Sequence, residues 1–407
     1  VSHLIERLNL RGEGVASDGL TVALSLPGET VEGDAVEGRI ARPRILTPSP
    51  DRVRAPCPHF QNCGGCTLQH AADGFVAAWK RQVVERALAA QGLEAPIRAL
   101  HTSPGASRRR ATLAGRRTKK GVLVGFHARA SDQIVGIADC RLLHPDLMAC
   151  LPACEALTAL GASRKGEVAL ALTRSEDGVD VAVSGVKPLD GALRAALGDL
   201  SDHHDLARLS WNGEIVAARR PPRQRMGRAL VVPPPGAFLQ ATEAGQAALT
   251  AAVRKAVGSS RRVADLFAGC GTFALPLAET AEVHAVEGDA AMVAALDAGW
   301  RGAPGLKRVT HEARDLFRRP LRPDDLAGFD AAVIDPPRAG AEAQVAAIAD
   351  SRLPRLAYVS CNPVTFARDA KRLCSAGFRL DWIEVVDQFR WSAHVELAAV
   401  LSRTHIG

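Results

Sequence analysis

The segment Val263-Ala-Asp-Leu-Phe-Ala-Gly-Cys-Gly-Thr-Phe273 is a strand-like run that breaks at two closely spaced glycines and turns into a helix start. A strand that feeds a helix through a glycine turn is the first half of a βαβ unit, which buries its apolar faces only inside a parallel sheet. The same rhythm returns twice. Phe329 to Ile334 ends in Asp335-Pro336-Pro337, and Leu356 to Val359 ends in Ser360-Cys361-Asn362-Pro363 before the helix-like run Val364 to Cys374. Thr242 to Val257 reads as a helix and Glu282 to Val286 as a strand. Phe378 to Val386 and Val395 to Leu401 read as an antiparallel terminal pair. The expectation is an α/β fold, a mostly parallel sheet with helices on both faces and a ligand crevice outside the carboxyl ends of its strands.

One such sheet does not account for 407 residues, because single cores rarely grow beyond about 250–300 residues. Residues 1–54 read as a small all-β unit. Ile5 to Leu8, Leu20 to Leu26 and Val36 to Ile40 are short strand candidates between Gly-rich turns, and Pro43 to Pro56 reads as a linker. Residues 55–230 read as a central α/β unit. Ala71 to Gln91 and Pro145 to Leu160 are its helices; Ala111 to Leu113, Val122 to Phe126, Glu167 to Leu172 and Val179 to Val183 are its strands. Residues 231–407 hold the βαβ unit.

With 47% hydrophobic and 23% charged residues, the composition excludes a disordered chain. No run of 18 apolar residues is present, so a cytosolic protein without a membrane partner is expected. The net charge of +7 is clustered. Arg108, Arg109, Arg110, Arg116, Arg117, Lys119 and Lys120 form one basic block, and Arg219, Arg220, Arg223, Arg225 and Arg228 another. Phosphate contacts supply most non-specific nucleic-acid affinity, so a polyanion partner is expected there. The single Tyr leaves little aromatic area for a single-strand stacking platform.

Nine cysteines in a cytosolic chain argue for metal, catalysis or core packing rather than disulfides. Cys57, Cys63 and Cys66 are closely spaced around Gly64-Gly65, as shared ligands of one zinc ion or iron–sulfur cluster are. Cys140 is the fourth candidate ligand. His59 and His70 are weaker zinc candidates, and Cys150 and Cys154 read as core residues.

Gly269-x-Gly271-x-x-Ala274 also fits a dinucleotide fingerprint, with Glu287 as the acid for ribose hydroxyls. Asp315 is placed to hold an adenine amino group. The next strand ends decide between hydride and methyl transfer. Hydride transfer has no use for Asp335-Pro-Pro and a reactive Cys361. Uracil methylation does: C5 is a poor nucleophile until a thiolate adds at C6, and a base must then remove the C5 proton. Glu396, in His394-Val395-Glu396, is the candidate base, with His394 as an orienter or proton relay. Asp335 is placed to accept a hydrogen bond from a base edge.

Together these segments resemble the RNA uracil-5-methyltransferases that use S-adenosylmethionine, over nearly the whole chain. The resemblance implies a class I Rossmann-like catalytic domain, a central α/β domain and an N-terminal TRAM-like β-barrel carrying Gly12-Glu-Gly14. Gln240, Phe267, Gly269, Glu287, Asp315 and Asp335 would line the donor pocket, with Cys361 as nucleophile and Glu396 as base. Cys57, Cys63, Cys66 and Cys140 would hold a [4Fe-4S] cluster, as in the family's 23S ribosomal RNA branch; the transfer RNA branch typically lacks it. Arg108, Arg109, Arg110, Arg116 and Lys119 would contact RNA. The implied activity is methylation of one uridine in 23S rRNA by a monomeric cytoplasmic enzyme. A tRNA uracil-5-methyltransferase and a non-catalytic RNA-binding or ribosome-assembly protein are the alternatives. Thr242, Ala268 and Phe389-Arg390-Trp391 depart from the family's usual residues.

Overall fold

In the computed structural model, which describes residues 1–119, 121–164 and 166–403, the C-terminal strand-like runs line up in one eight-stranded sheet. Its order is Val309–Ala313, Glu282–Glu287, Arg262–Leu266, Ala331–Ile334, Arg355–Ser360, Glu396–Arg403, Phe378–Asp387 and Ile97–Thr102. The first five run parallel, and Glu396–Arg403 is antiparallel to both of its neighbours. The chain builds outward from Arg262–Leu266 in one direction and then returns to build in the other. The order therefore reverses between Leu266 and Ile334, which are direct register partners, and this is the place where such sheets open a ligand crevice.

Helices cover both faces, because strands buried on two sides need apolar cover on each. Asp73–Ala89, Glu342–Asp350 and Pro363–Ser375 pack on one face with Leu356, Tyr358, Ile383 and Leu397. Glu243–Val257 and Ala274–Leu277 pack on the other with Val263, Val333, Val359 and Val400. This is the expected α/β Rossmann-like fold. The edge strand Ile97–Thr102 and the helix before it come from far upstream in the chain, which local periodicity does not reveal.

The central sheet runs in the order Ile134–Gly136, Gly121–His127, Arg110–Thr118, Glu167–Ser175, Gly178–Ser184, Arg208–Trp211 and Glu214–Ala218. The helix expected over 145–160 is two helices, Pro145–Ala149 and Leu151–Gly161, with Pro152 in the first turn of the second, where a missing N–H costs nothing. Cys150 and Cys154 lie in this core as expected. The N-terminal unit is a curled sheet of seven short strands around Ile5, Ala16, Val22, Val31 and Ile40. The stretch expected to be a linker contributes one of them: Arg44–Thr47 pairs with Thr30–Glu32. Among the described residues no helix is long and apolar enough to cross a membrane.

Candidate active site

Asp265 and Asp335 stand at the carboxyl ends of neighbouring parallel strands, and Cys361 follows Ser360 at the end of the next. Ser360 pairs with Leu397 across the antiparallel junction. Continuing that register by one residue sets Cys361 opposite Glu396. Three motifs separated by 26 to 61 residues in sequence thus reach one strand-end row. Asn362 fixes the turn behind the thiol. Its side-chain oxygen accepts from the Val364 N–H at 3.1 Å, capping the helix Pro363–Ser375, and its amide donates to the Arg338 carbonyl at 3.0 Å.

On the other side of the switch point lies the glycine loop. Phe267 has φ +63°, a left-handed conformation uncommon for an aromatic residue and typical of strained functional turns. Gly269 has φ +56° and open space where a Cβ would stand. Its N–H donates to Glu287 Oε2 at 2.9 Å, and the Asp289 N–H donates to Oε1 at 3.0 Å. Each oxygen keeps a lone pair for a ribose hydroxyl. The Phe267 and Phe317 rings lie 5.4 Å apart, beside Asp315, whose Oδ1 accepts the Phe317 N–H at 2.9 Å. Among the described residues, neither oxygen of the fully buried Asp265 has a partner at good hydrogen-bond geometry, beyond a weak approach of the Ala274 N–H. A buried carboxyl short of partners in the protein is what a cradle for a polar ligand leaves behind. The residues present fit an adenosyl group.

Glu396 is buried and accepts a hydrogen bond from the Gln388 side-chain amide, which also donates to Gln240 Oε1 at 2.5 Å. Gln388 Oε1 accepts the Ala241 N–H at 2.7 Å, and Gln240 Nε2 reaches Asp335 at 3.4 Å. Gln388 thus joins the base candidate to the donor-side Gln240 and Asp335. The motif comparison passed over it; its only sequence signal is its position at the end of a strand eight residues before Glu396.

Burial, then the nearby Asp335, pushes the Glu396 carboxyl up to about 8, and burial pushes Asp335 up to about 7. The Cys361 thiol is also raised, by burial first and then by Glu396 and Asp335, with Arg338 opposing. Folded Glu396 thus keeps a proton that the unfolded chain, with an ordinary value of 4.5, has released. Its stabilising contribution is complete below that value and is lost as pH rises through about 8. Glu396→Gln should match wild type in melting temperature at low pH and exceed it above about pH 8. Thermal melts of the ligand-free protein across that range, with the two curves staying parallel, would refute the assignment.

His394 does not hydrogen-bond to Glu396. Its Nδ1 accepts from the Arg338 guanidinium at 2.5 Å, and its ring stands edge-on to Phe389 at 5.5 Å. Partial burial, then Arg338, push it down to about 4, in keeping with a neutral Nδ1 that accepts from Arg338.

The [4Fe-4S] expectation is corrected. Cys57, Cys63, Cys66 and Cys140 do line one cavity, but with Phe60, Phe126, Ile137 and Leu142 around it they leave only about 10 Å³ free, roughly one water-sized probe. Among the described residues no group of three or more His, Cys, Asp or Glu side chains is arranged to hold a metal. Burial first, and then the neighbouring thiols, raises Cys63 and Cys140 and pushes Cys66 up to about 12. His59 accepts the Asp139 N–H at 3.2 Å, and His70 stacks on Phe60 at 5.5 Å. The sequence spacing brought the thiols together; Cys57 and Cys66 pack in an apolar cluster with Phe60, Leu142 and Trp391, with Cys140 against it, while Cys63 packs against the central core.

The basic blocks divide. Arg108 lies over the Phe389 ring at 5.6 Å and Arg110 over the exposed Phe238 at 5.2 Å, both at the mouth of the site. Arg109 is buried and donates to the Gln240 carbonyl at 3.1 Å and to Gln246 at 2.6 Å. Those contacts tie it to the Gln240 segment and leave it 3% exposed, rather than facing outward with Arg110. Arg116 pairs with Glu167 at 3.0 Å, Lys119 is exposed, and Lys120 lies outside the described residues. In the second block Arg219 and Arg220 pair with Asp205, Arg223 with Asp177 and Arg225 with Glu176, so local carboxylates offset most of its charge.

Comparison with known proteins agrees with this geometry. The tRNA (Uracil-5-)-methyltransferase family profile matches residues 303–404. The chain is 44% identical to an RNA methyltransferase of Brucella suis biovar 1, over 98% of this chain and 97% of that one. It is 36% identical to the 23S rRNA (uracil(1939)-C(5))-methyltransferase of Chromohalobacter salexigens, over 98% of this chain and 88% of that one. Its fold superposes on the Pyrococcus abyssi tRNA (uracil-54, C5)-methyltransferase in complex with S-adenosyl-L-homocysteine with a TM-score of 0.80. That match has 24% identity and covers 98% of this chain and 99% of the other.

Proposed function

This chain belongs to the S-adenosylmethionine-dependent RNA (uracil-5-)-methyltransferases, and on that premise we propose that Cys361 is its nucleophile, Glu396 its general base and Asp335 its uracil-edge acceptor. It transfers a methyl group to C5 of a uridine in RNA. The observation that carries the residue roles is the convergence of Cys361, Glu396 and Asp335 at adjoining strand ends beside the Asp265–Glu287 cradle.

Gln240, Phe267, Gly269, Glu287 and Asp315 would hold S-adenosylmethionine, which supplies an electrophilic methyl group when bound. The Cys361 thiolate adds to C6, forming an S–C6 bond and moving the C5=C6 electron pair onto C5 and O4. Asp335 holds the base edge while C5 takes the methyl, whose bond to the donor sulfur breaks so that S-adenosylhomocysteine leaves. Glu396 then removes the C5 proton, the C5=C6 bond reforms, and the S–C6 bond breaks to release Cys361. In the free protein burial favours the protonated form of both groups, so each first releases its proton to solvent, and Arg338 is the cation that opposes the rise at the thiol. A stacked base hides C5 and C6 from both reactants, so the uridine is turned out of its loop. A cleft of about 1220 Å³ between the N-terminal sheet, residues 126–130 and the helix Asp73–Ala89 reaches Val364, three residues past Cys361. It offers a path for the flanking RNA. In this reading residues 1–54 and the central sheet present the RNA, residues 73–102 pack with 231–407 as part of the catalytic sheet, and one monomer holds the complete site.

Without a cluster the cysteines no longer favour ribosomal RNA, so transfer RNA is the first substrate to test. The second is 23S rRNA, favoured by the 36%-identical relative. The experiment is covalent trapping with 5-fluorouracil-containing transcripts of both kinds plus methyl donor. Without a C5 proton to remove, the reaction stalls as an RNA–protein adduct, visible by intact mass, and the RNA that traps identifies the substrate. Donor binding without an adduct on either RNA would refute the nucleophile assignment.

A further inference from the structure

The loop between Asp387 and Glu396 carries Gln388 at one end and delivers the base at the other. What holds it comes from residues 67–80, at the opposite end of the chain. Thr67 and Leu68 donate their N–H groups to the Trp391 carbonyl at 2.7 and 2.9 Å. Arg390 pairs with Asp73 at 2.7 Å. Lys80 Nζ donates to Asp387 Oδ1 at 2.5 Å and to the Phe389 carbonyl at 3.3 Å.

Lys80 is the unusual member. Its side chain is 0% exposed and that of Asp387 2%, and it stands on the buried face of its helix with Val76, Trp79, Val83 and Val84. A charge on such a face persists only with its partner in place, and an apolar residue would be at least as stable there. Its two acceptors bracket Gln388 in sequence. Gln388 is also the residue that bonds Glu396, Gln240 and Ala241, and Val386 pairs with Glu396 in the sheet.

We propose that Lys80 is a positioning residue for proton removal at C5: by tying Asp387 and the Phe389 carbonyl to the upstream helix, it holds Gln388 where Gln388 orients Glu396. The inference rests on Glu396 being the base. It predicts a particular lesion. Loss of the clamp slows release of the methylated uridine more than it slows attack by Cys361.

The test uses the full-length Lys80→Met variant with ordinary, unfluorinated RNA and methyl donor, following turnover, covalent RNA–protein species on denaturing gels, and melting temperature. Turnover should fall about 100-fold, the effect of an ångström-scale misplacement. A methylated covalent species should accumulate that wild type does not show, and Lys80→Arg should restore part of the rate. The double variant Lys80→Met/Asp387→Leu guards against misfolding, because it removes both charges, and it should accumulate the same species. Unchanged turnover in either folded variant, or turnover and covalent species falling together, would overturn the inference. A wild-type adduct on 5-fluorouracil RNA alongside such a result would overturn it alone. Absence of that wild-type adduct would instead remove the base assignment and the inference with it.

Discussion

Cys361→Ala is expected to reduce methyl transfer to background while leaving S-adenosylhomocysteine binding and the melting temperature close to wild type. The thiol is the only group in the row able to add to C6. Without that addition C5 does not become a nucleophile. The substitution touches neither the Phe267–Gly269 turn nor Glu287, and it removes one atom from a partly exposed position, where costs stay within about 1 kcal/mol. Methylated-nucleoside analysis of RNA incubated with the variant reads the first effect; calorimetric titration reads the second. Methylation surviving in this variant would move the chemistry to amino-group transfer. An RNA-binding scaffold without catalysis predicts that every cellular function survives the substitution.

Glu396→Gln should give the complementary defect. Attack and methyl transfer need no proton from C5, so the variant should form the methylated covalent adduct on natural RNA and then fail to release it. Turnover should fall by about 10²–10⁴-fold, the usual contribution of a general base. In wild type the release step should quicken as pH rises toward and through about 8, because Glu396 acts only when deprotonated. The Cys361 thiol, also raised, adds a dependence of the same sign on the attack step. Single-turnover kinetics across pH 6–9 separates the two phases, and a release step insensitive to both pH and the substitution would place the base elsewhere. The Lys80 variants should resemble a milder Glu396→Gln, since they displace the carboxylate without removing it.

Strand-end chemistry was legible in the sequence because its signals are local. Two glycines after an apolar run, Pro-Pro after an acid, and Cys-Asn-Pro before a helix each restrict the backbone within a few residues. The parallel sheet and the terminal antiparallel pair were therefore recoverable. The cysteines show where local spacing stops. Cys57, Cys63, Cys66 and Cys140 do meet, but how much space they enclose depends on Phe60, Phe126, Ile137 and Leu142, which spacing does not describe. Arg109 is a second case. It sits in a run of three arginines that reads as one basic surface, yet strand alternation turns it inward to Gln240 while Arg108 and Arg110 face the mouth of the site.

By itself the sequence determined the α/β class and set three motifs at strand ends, because each is fixed by residues within one turn of one another. The tertiary structure alone decided that Ile97–Thr102 closes the catalytic sheet, that Gln388 joins Glu396 to Gln240, and that Lys80 reaches Asp387 across 307 residues. The reason is physical. A buried ion pair or an edge strand is selected by the cost of leaving a charge or a row of backbone groups unpaired, and that cost is set by neighbours in space, which the order of residues along the chain does not show.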